Sequence, residues 1–133
     1  MTKRYFRNNV DYIFYSRYCQ ESKFAMFGGM AKFDAQVCPV ARALSVVGER
    51  WSLLIIRDLL RLGPRKFAEL EDSLKGISPN TLSARLKHLE DRGVITKRLY
   101  EHYPPRAEYV LTERGRQLGP IVLALKKWGE GVE

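Results

Sequence analysis

Between Pro79 and Glu90 the chain sets Asn80, Thr81, Ser83, Arg85, Lys87 and His88 among three leucines and one alanine. Amide and hydroxyl side chains hydrogen-bond base edges, and Arg and Lys reach guanine or phosphate. Ala84, with its single methyl, lets such a segment approach the bases closely. The chemistry these residue types can do together is the reading of a double helix. Mixed polar residues more often mean only a solvated helix face, so the case rests on what positions them.

The segment carries the limits of a helix. Ser78 suits the N-cap, Pro79 the first helical position, and Gly93 the left-handed residue that ends it. Leu82, Leu86 and Leu89 recur at i, i+4 and i+7, which makes one narrow stripe for burial. At about 100° per residue, Asn80, Ala84 and Lys87 point away from that stripe, with Thr81, Ser83, Arg85 and His88 on its flanks.

The next segment strengthens the reading. Val94, Thr96 and Arg98 alternate with Ile95, Lys97 and Leu99, and Glu108 to Leu111 form a second run of β-type residues. The connecting residues Glu101 to Pro105 include two prolines that cannot continue a ladder, so a protruding loop flanked by Lys97, Arg98 and Arg106 is expected. A helix for the major groove with a basic loop beside it is a winged helix-turn-helix. Arg106 is the candidate wing contact to phosphate or minor groove, against the plainer reading of a solvated charge.

Upstream, Cys38 and Pro39 open a helix with Val40, Ala43, Leu44 and Val47 on one face, closed by Gly48. Trp51, Leu54, Ile55 and Leu59 mark a second helix that Gly63 and Pro64 stop. Phe67 and Leu70 begin a short third helix running to about Leu74, and Lys75 and Gly76 make the turn. Short helix, turn, longer helix is the order of a helix-turn-helix. After the second strand, Thr112 caps a last helix with a stripe of Leu118, Ile121, Val122, Leu125 and Trp128, which Pro120 should kink or divide. So wide an apolar face on so small a domain covers its own core in part and a second copy with the rest. The expected fold class is α+β, mostly helical: a winged helix-turn-helix with a two-stranded wing and a C-terminal dimerisation helix.

Composition agrees. The chain has 133 residues, with 23 Lys and Arg against 15 Asp and Glu, a formal charge of +8 that favours a polyanionic partner without specifying an operator. No stretch approaches the roughly 20 apolar residues of a membrane span, and a cytoplasmic protein without membrane contact is expected. Residues 1–33 hold nine of the fifteen aromatics and no sustained pattern. They are expected to be an N-terminal extension, with residues 34–133 forming the DNA-binding domain. Gly28, Gly29 and Met30 precede conventional sequence, which suggests Met30 as a start codon; the rival is a basic, aromatic arm that touches DNA or a partner subunit.

Six blocks then stand in order: Cys38-Pro39-Val40, Gly48 to Ile55 (GERWSLLI), Arg65 to Leu70 (RKFAEL), Gly76 to Leu82 (GISPNTL), Pro104 to Tyr109 (PPRAEY) and Leu111 to Gly115 (LTERG). Together they resemble the HxlR family of bacterial and archaeal winged helix-turn-helix transcriptional regulators, over about Val37 to Gly129. The resemblance implies a homodimer, built mainly from its N-terminal and C-terminal helices, that binds double-stranded DNA at a palindromic or near-palindromic operator. Lys66 and Ser78 complete the candidate DNA contacts with Asn80, Thr81, Ser83, Ala84, Arg85, Lys87, His88 and Arg106.

Several members of that family use a cysteine before the first helix to sense electrophiles or oxidants, and Cys38 occupies the matching place. A helix N-terminus favours the reactive thiolate. The opposing reading makes Cys38 a small apolar cap at a dimer interface. No Cys or His stands at zinc-ligand spacing from His88 or His102 in the sequence, and neither a phosphate-binding glycine loop nor a nucleophile motif is present, so no cofactor and no catalysis are expected. Two alternatives to an operator-specific regulator stand beside it. One is a MarR-like regulator that takes a small-molecule effector in an apolar pocket. The other is an architectural or protein-docking winged helix that binds DNA without sequence preference.

Overall fold

A computed structural model of the chain describes residues 38–132. The expected boundary at residues 33 and 34, Met30, and the chain's other cysteine, Cys19, lie outside the described residues. The chain divides into two units after Ser45. Of the first, residues 38–45 hold most of helix α1 (Pro39–Val47), which begins where the Arg42 N–H donates to the Cys38 carbonyl at 2.9 Å. Val40 and Leu44, expected on a shared apolar face, are both exposed.

The second unit runs α2 (Arg50–Leu62), α3 (Phe67–Ser73), α4 (Pro79–Asp91), β1 (Ile95–His102), β2 (Pro105–Leu111), the single turn α5 (Glu113–Arg116) and α6 (Gly119–Gly129). Its core gathers Ile55, Ile56 and Leu59 from α2, Leu70 from α3, Leu82, Leu86 and Leu89 from α4, and Val94, Ile95 and Leu111 at the base of the hairpin. Each such side chain contributes roughly 1.5–3 kcal/mol by leaving water. The i, i+4, i+7 spacing is what lets three leucines of one helix enter that core together.

A buried carboxylate locks the first two helices of the unit. Asp58 on α2 is fully buried; Ser73 Oγ at the end of α3 donates to its Oδ2, and the Arg57 guanidinium lies 2.8 Å from its Oδ1. A buried charge left without such partners would be costly. The start of α3 is held by a carboxylate as well, the Lys66 backbone N–H donating to Glu69 Oε2 at 3.0 Å.

The hairpin departs from the sequence reading. Its ladder passes through Ile95↔Leu111, Lys97↔Tyr109 and Leu99↔Ala107, breaks register at Tyr100, and resumes as Glu101↔Arg106 and His102↔Pro105. The expected five-residue loop is thus a two-residue turn, Tyr103 and Pro104. Pro105 is tolerated because it starts its strand, where a missing N–H costs least. Arg65 adds a further bridge the sequence did not suggest: its N–H donates to the Tyr109 carbonyl at 3.1 Å, and the Tyr109 N–H donates to the Arg65 carbonyl at 2.7 Å.

The last helix is divided, as Pro120 implied. In one continuous helix its ring would meet the Arg116 carbonyl; instead α5 ends and α6 begins with Pro120 in its first turn. Thr112 caps α5, its hydroxyl accepting the Gly115 N–H at 3.1 Å. No residue of α6 is fully buried. Leu118 just before it and Val122 rest partly on the core, whereas Ile121, Leu125 and Trp128 are exposed, Trp128 by 64%.

Candidate nucleic-acid interface

Helix α4 begins where the sequence places it. Ser78 is extended, and its Oγ accepts the Thr81 N–H at 3.1 Å while donating to Thr81 Oγ1 at 2.8 Å. Ser78 is therefore occupied as a cap, which orients the first turn. At the far end Gly93 takes φ +71°, and the Val94 N–H donates to the Leu89 carbonyl at 2.9 Å as the chain turns into β1.

Burial divides α4 as its periodicity requires. Leu82, Leu86 and Leu89 are at most 1% exposed; Asn80, Ser83, Ala84 and Lys87 are exposed; Thr81, Arg85 and His88 are half-buried on the flanks. Arg85 leans toward the start of α2, with Nη1 3.8 Å from Glu49 Oε1, and Lys87 Nζ lies 3.5 Å from Asp91 Oδ1 one turn on. Both cations keep a local carboxylate, and both pairs are long and partly solvated, so they are weak.

On the wing, Arg106 Nε stands 3.2 Å from Glu101 Oε2, and Arg98 Nε donates to Glu108 Oε1 at 3.0 Å across the ladder. Lys66 is brought to the wing too: its Nζ sits 5.0 Å from the centroid of the Tyr100 ring, within cation–π range. The structure thus joins Lys66 and the hairpin, which are far apart in sequence. Sequence reading missed Tyr103. It occupies the hairpin tip and is 97% exposed, a placement that depends on the ladder running as far as His102↔Pro105.

Cys38 is half-buried, carries a free thiol and directly precedes Pro39. Among the described residues, no three His, Cys, Asp or Glu side chains are grouped to hold a metal ion, and no helix is long and apolar enough to cross a membrane. A separate cleft of about 720 Å³ lies between α2 and α6, lined by Leu53, Leu54, Leu60 and Val122 and edged by Arg57, Arg61 and Lys126.

Comparison with known proteins agrees with the geometry. The family model for HxlR-like helix-turn-helix proteins matches residues 46–132. An uncharacterised HTH-type transcriptional regulator of Synechocystis is 40% identical over 93 residues, which span 70% of this chain and 68% of the relative. Another, YdeP of Bacillus subtilis, is 37% identical over 97 residues, 73% of this chain and 75% of the relative. Among solved structures, the oxidised form of the redox regulator HypR is similar, with a TM-score of 0.68 and 36% identity over 72% of this chain and 98% of that one. The reduced form of the transcriptional regulator YodB from B. subtilis has a TM-score of 0.61 and 32% identity over 71% of this chain and 93% of that one.

Proposed function

The chain belongs to the HxlR-like helix-turn-helix family, a transcriptional regulator of the helix-turn-helix type, and from that premise we propose that it acts as a homodimer on a two-fold symmetric operator. The two α4 helices enter successive major grooves about 34 Å apart, and the wings hold flanking phosphates or minor groove. The observation that carries the reading is the division of α4: three leucines sealed in the core, with Asn80, Ser83, Ala84 and Lys87 presented outward. Thr81, Arg85 and His88 supply the flanks, and Lys66 and Arg106 the phosphate contacts. The exposed Ile121, Leu125 and Trp128 of α6 support the dimer, since apolar side chains grouped on one helix are covered by association.

Cys38 is the proposed sensor. Support comes from its half-buried thiol at the start of α1 and from the kinship with HypR, a redox regulator, and with YodB, also solved after diamide treatment. Oxidation there would alter DNA affinity through the dimer. A second reading, a small-molecule effector, is favoured by the cleft between α2 and α6, whose size falls within the range of ligand pockets.

The test is fluorescence anisotropy of the reduced, full-length protein on DNA from upstream of its own and neighbouring genes, against scrambled competitor at physiological salt. Preference of about a thousandfold or more is expected; equal binding to both would favour an architectural role. Diamide should abolish the preference, and Cys38→Ser should preserve it under diamide. If Cys38→Ser still loses the preference, the chain's other cysteine, Cys19, is the thiol oxidised; if diamide leaves the wild type unchanged, no thiol is the sensor and the cleft becomes the leading site.

A further inference from the structure

We infer that Tyr103 is a specificity-determining residue, a ring that enters the minor groove edge-on and selects A·T over G·C there; this rests on the operator-docking reading above. The wing has three tyrosines, and the fold uses two. Tyr100 lies under the Lys66 ammonium, and Tyr109 is bridged to Arg65 and packs against the core. Tyr103 is 97% exposed. Its side chain supplies almost no packing, so the fold alone does not account for an aromatic at this place.

The tip has the dimensions and the chemistry for that groove. Because His102 pairs with Pro105, only Tyr103 and Pro104 form the turn. A ring entering edge-on is roughly 3.5–4 Å thick and the minor groove is roughly 6 Å wide, so the Tyr103 ring, standing at the very tip, fits between the groove walls. Pro104 and Pro105 fix their own φ angles and limit what the tip can lose on binding. Behind the ring, Lys97, Arg98 and Arg106 outnumber Glu101 and Glu108, which favours an anionic partner such as the phosphates on either side of the groove. On the groove floor, adenine N3 and thymine O2 accept a hydrogen bond, which the phenol can donate. Guanine places its N2 amino group in the same space, where it obstructs the ring and offers a second donor to a donor.

The full-length protein is first used to select duplexes from a randomised library. In a selected duplex, adenines outside the half-site centres are then replaced one at a time by 2,6-diaminopurine, which adds the minor-groove amino group and leaves the major-groove face unchanged. The expected result is a drop in wild-type affinity of about tenfold or more at one step flanking each half-site. Tyr103→Ala should bind the unmodified duplex more weakly and be indifferent to the replacement, Tyr103→Phe should fall between, and all three should melt at the same temperature. Tolerance of diaminopurine at every step by the wild type, selection of G·C at the flanking steps, or wild-type affinity in Tyr103→Ala would each overturn the assignment while leaving operator recognition intact. Failure to enrich any sequence would overturn both.

Discussion

Arg106 Nε and Glu101 Oε2 lie 3.2 Å apart on neighbouring strands, directly behind the turn of the wing. The cation proposed to hold phosphate is thus partly neutralised by its own hairpin until DNA displaces the carboxylate. Both side chains are about half exposed, so the pair itself is weak.

Freeing Arg106 should strengthen binding. Glu101→Gln is expected to raise DNA affinity a few-fold at low salt, with the gain shrinking as salt increases. Arg106→Ala should weaken binding almost equally on all sequences and lower the slope of log affinity against log salt by about one. Salt titrations of anisotropy check both, and an Arg106→Ala slope equal to the wild-type value would remove Arg106 from the phosphate contacts.

Contacts along α4 should separate by type. Asn80→Ala is expected to cost on the order of 1–3 kcal/mol on the preferred site and to relax base preference at one position. Lys87→Ala should weaken preferred and scrambled DNA alike. Thr81→Ala combines relaxed preference with loss of the side-chain bond to Ser78. Competition binding against single-base variants of the selected site distinguishes the two patterns, and unchanged affinity in all three variants would rule out α4 as the reading helix.

Gly115 has no room for a side chain. A Cβ there would lie 2.1 Å from the Val94 carbonyl oxygen and 2.8 Å from a methyl of Leu111, so α5 could no longer rest against the base of the wing. Gly115→Ala is expected to lose roughly 1–3 kcal/mol or more, because the obstacle is backbone that cannot rotate aside. A clear fall in the denaturant midpoint is the measurement; an unshifted midpoint would mean that α5 moves freely.

Tyr109 links stability to alkaline pH. Burial, and then the Glu90 carboxylate, push its phenol above the ordinary value of 10.0. The neutral form is favoured in the fold, so this contribution is complete below pH 10.0 and is lost as pH rises through the higher folded value. Tyr109→Phe cannot ionise, and its stability should fall less than that of the wild type above pH 10.0. Parallel denaturant curves for the two proteins across that range would contradict the assignment.

How far the sequence could be read follows from the range of the forces involved. Ser78, Pro79 and Gly93 act on backbone groups within a turn, and Leu82, Leu86 and Leu89 share a face through helical geometry alone; those residues determined where α4 lies and which side it buries. The family blocks extended this to the order of elements and to the class of protein. Local rules also required Pro120 to kink or divide the last helix, because a proline acts on a carbonyl only four residues away, and the structure shows the division. The hairpin was legible as two strands but not as a ladder that closes on Tyr103 and Pro104, since pairing across strands depends on register and on the break at Tyr100. Only the tertiary structure decided the pairings between residues distant in sequence: Arg85 with Glu49, Ser73 with Asp58, Lys66 with Tyr100, Arg65 with Tyr109. Each joins side chains or backbone whose separation is set by how α2, α3 and the wing pack together, and no local periodicity encodes that distance.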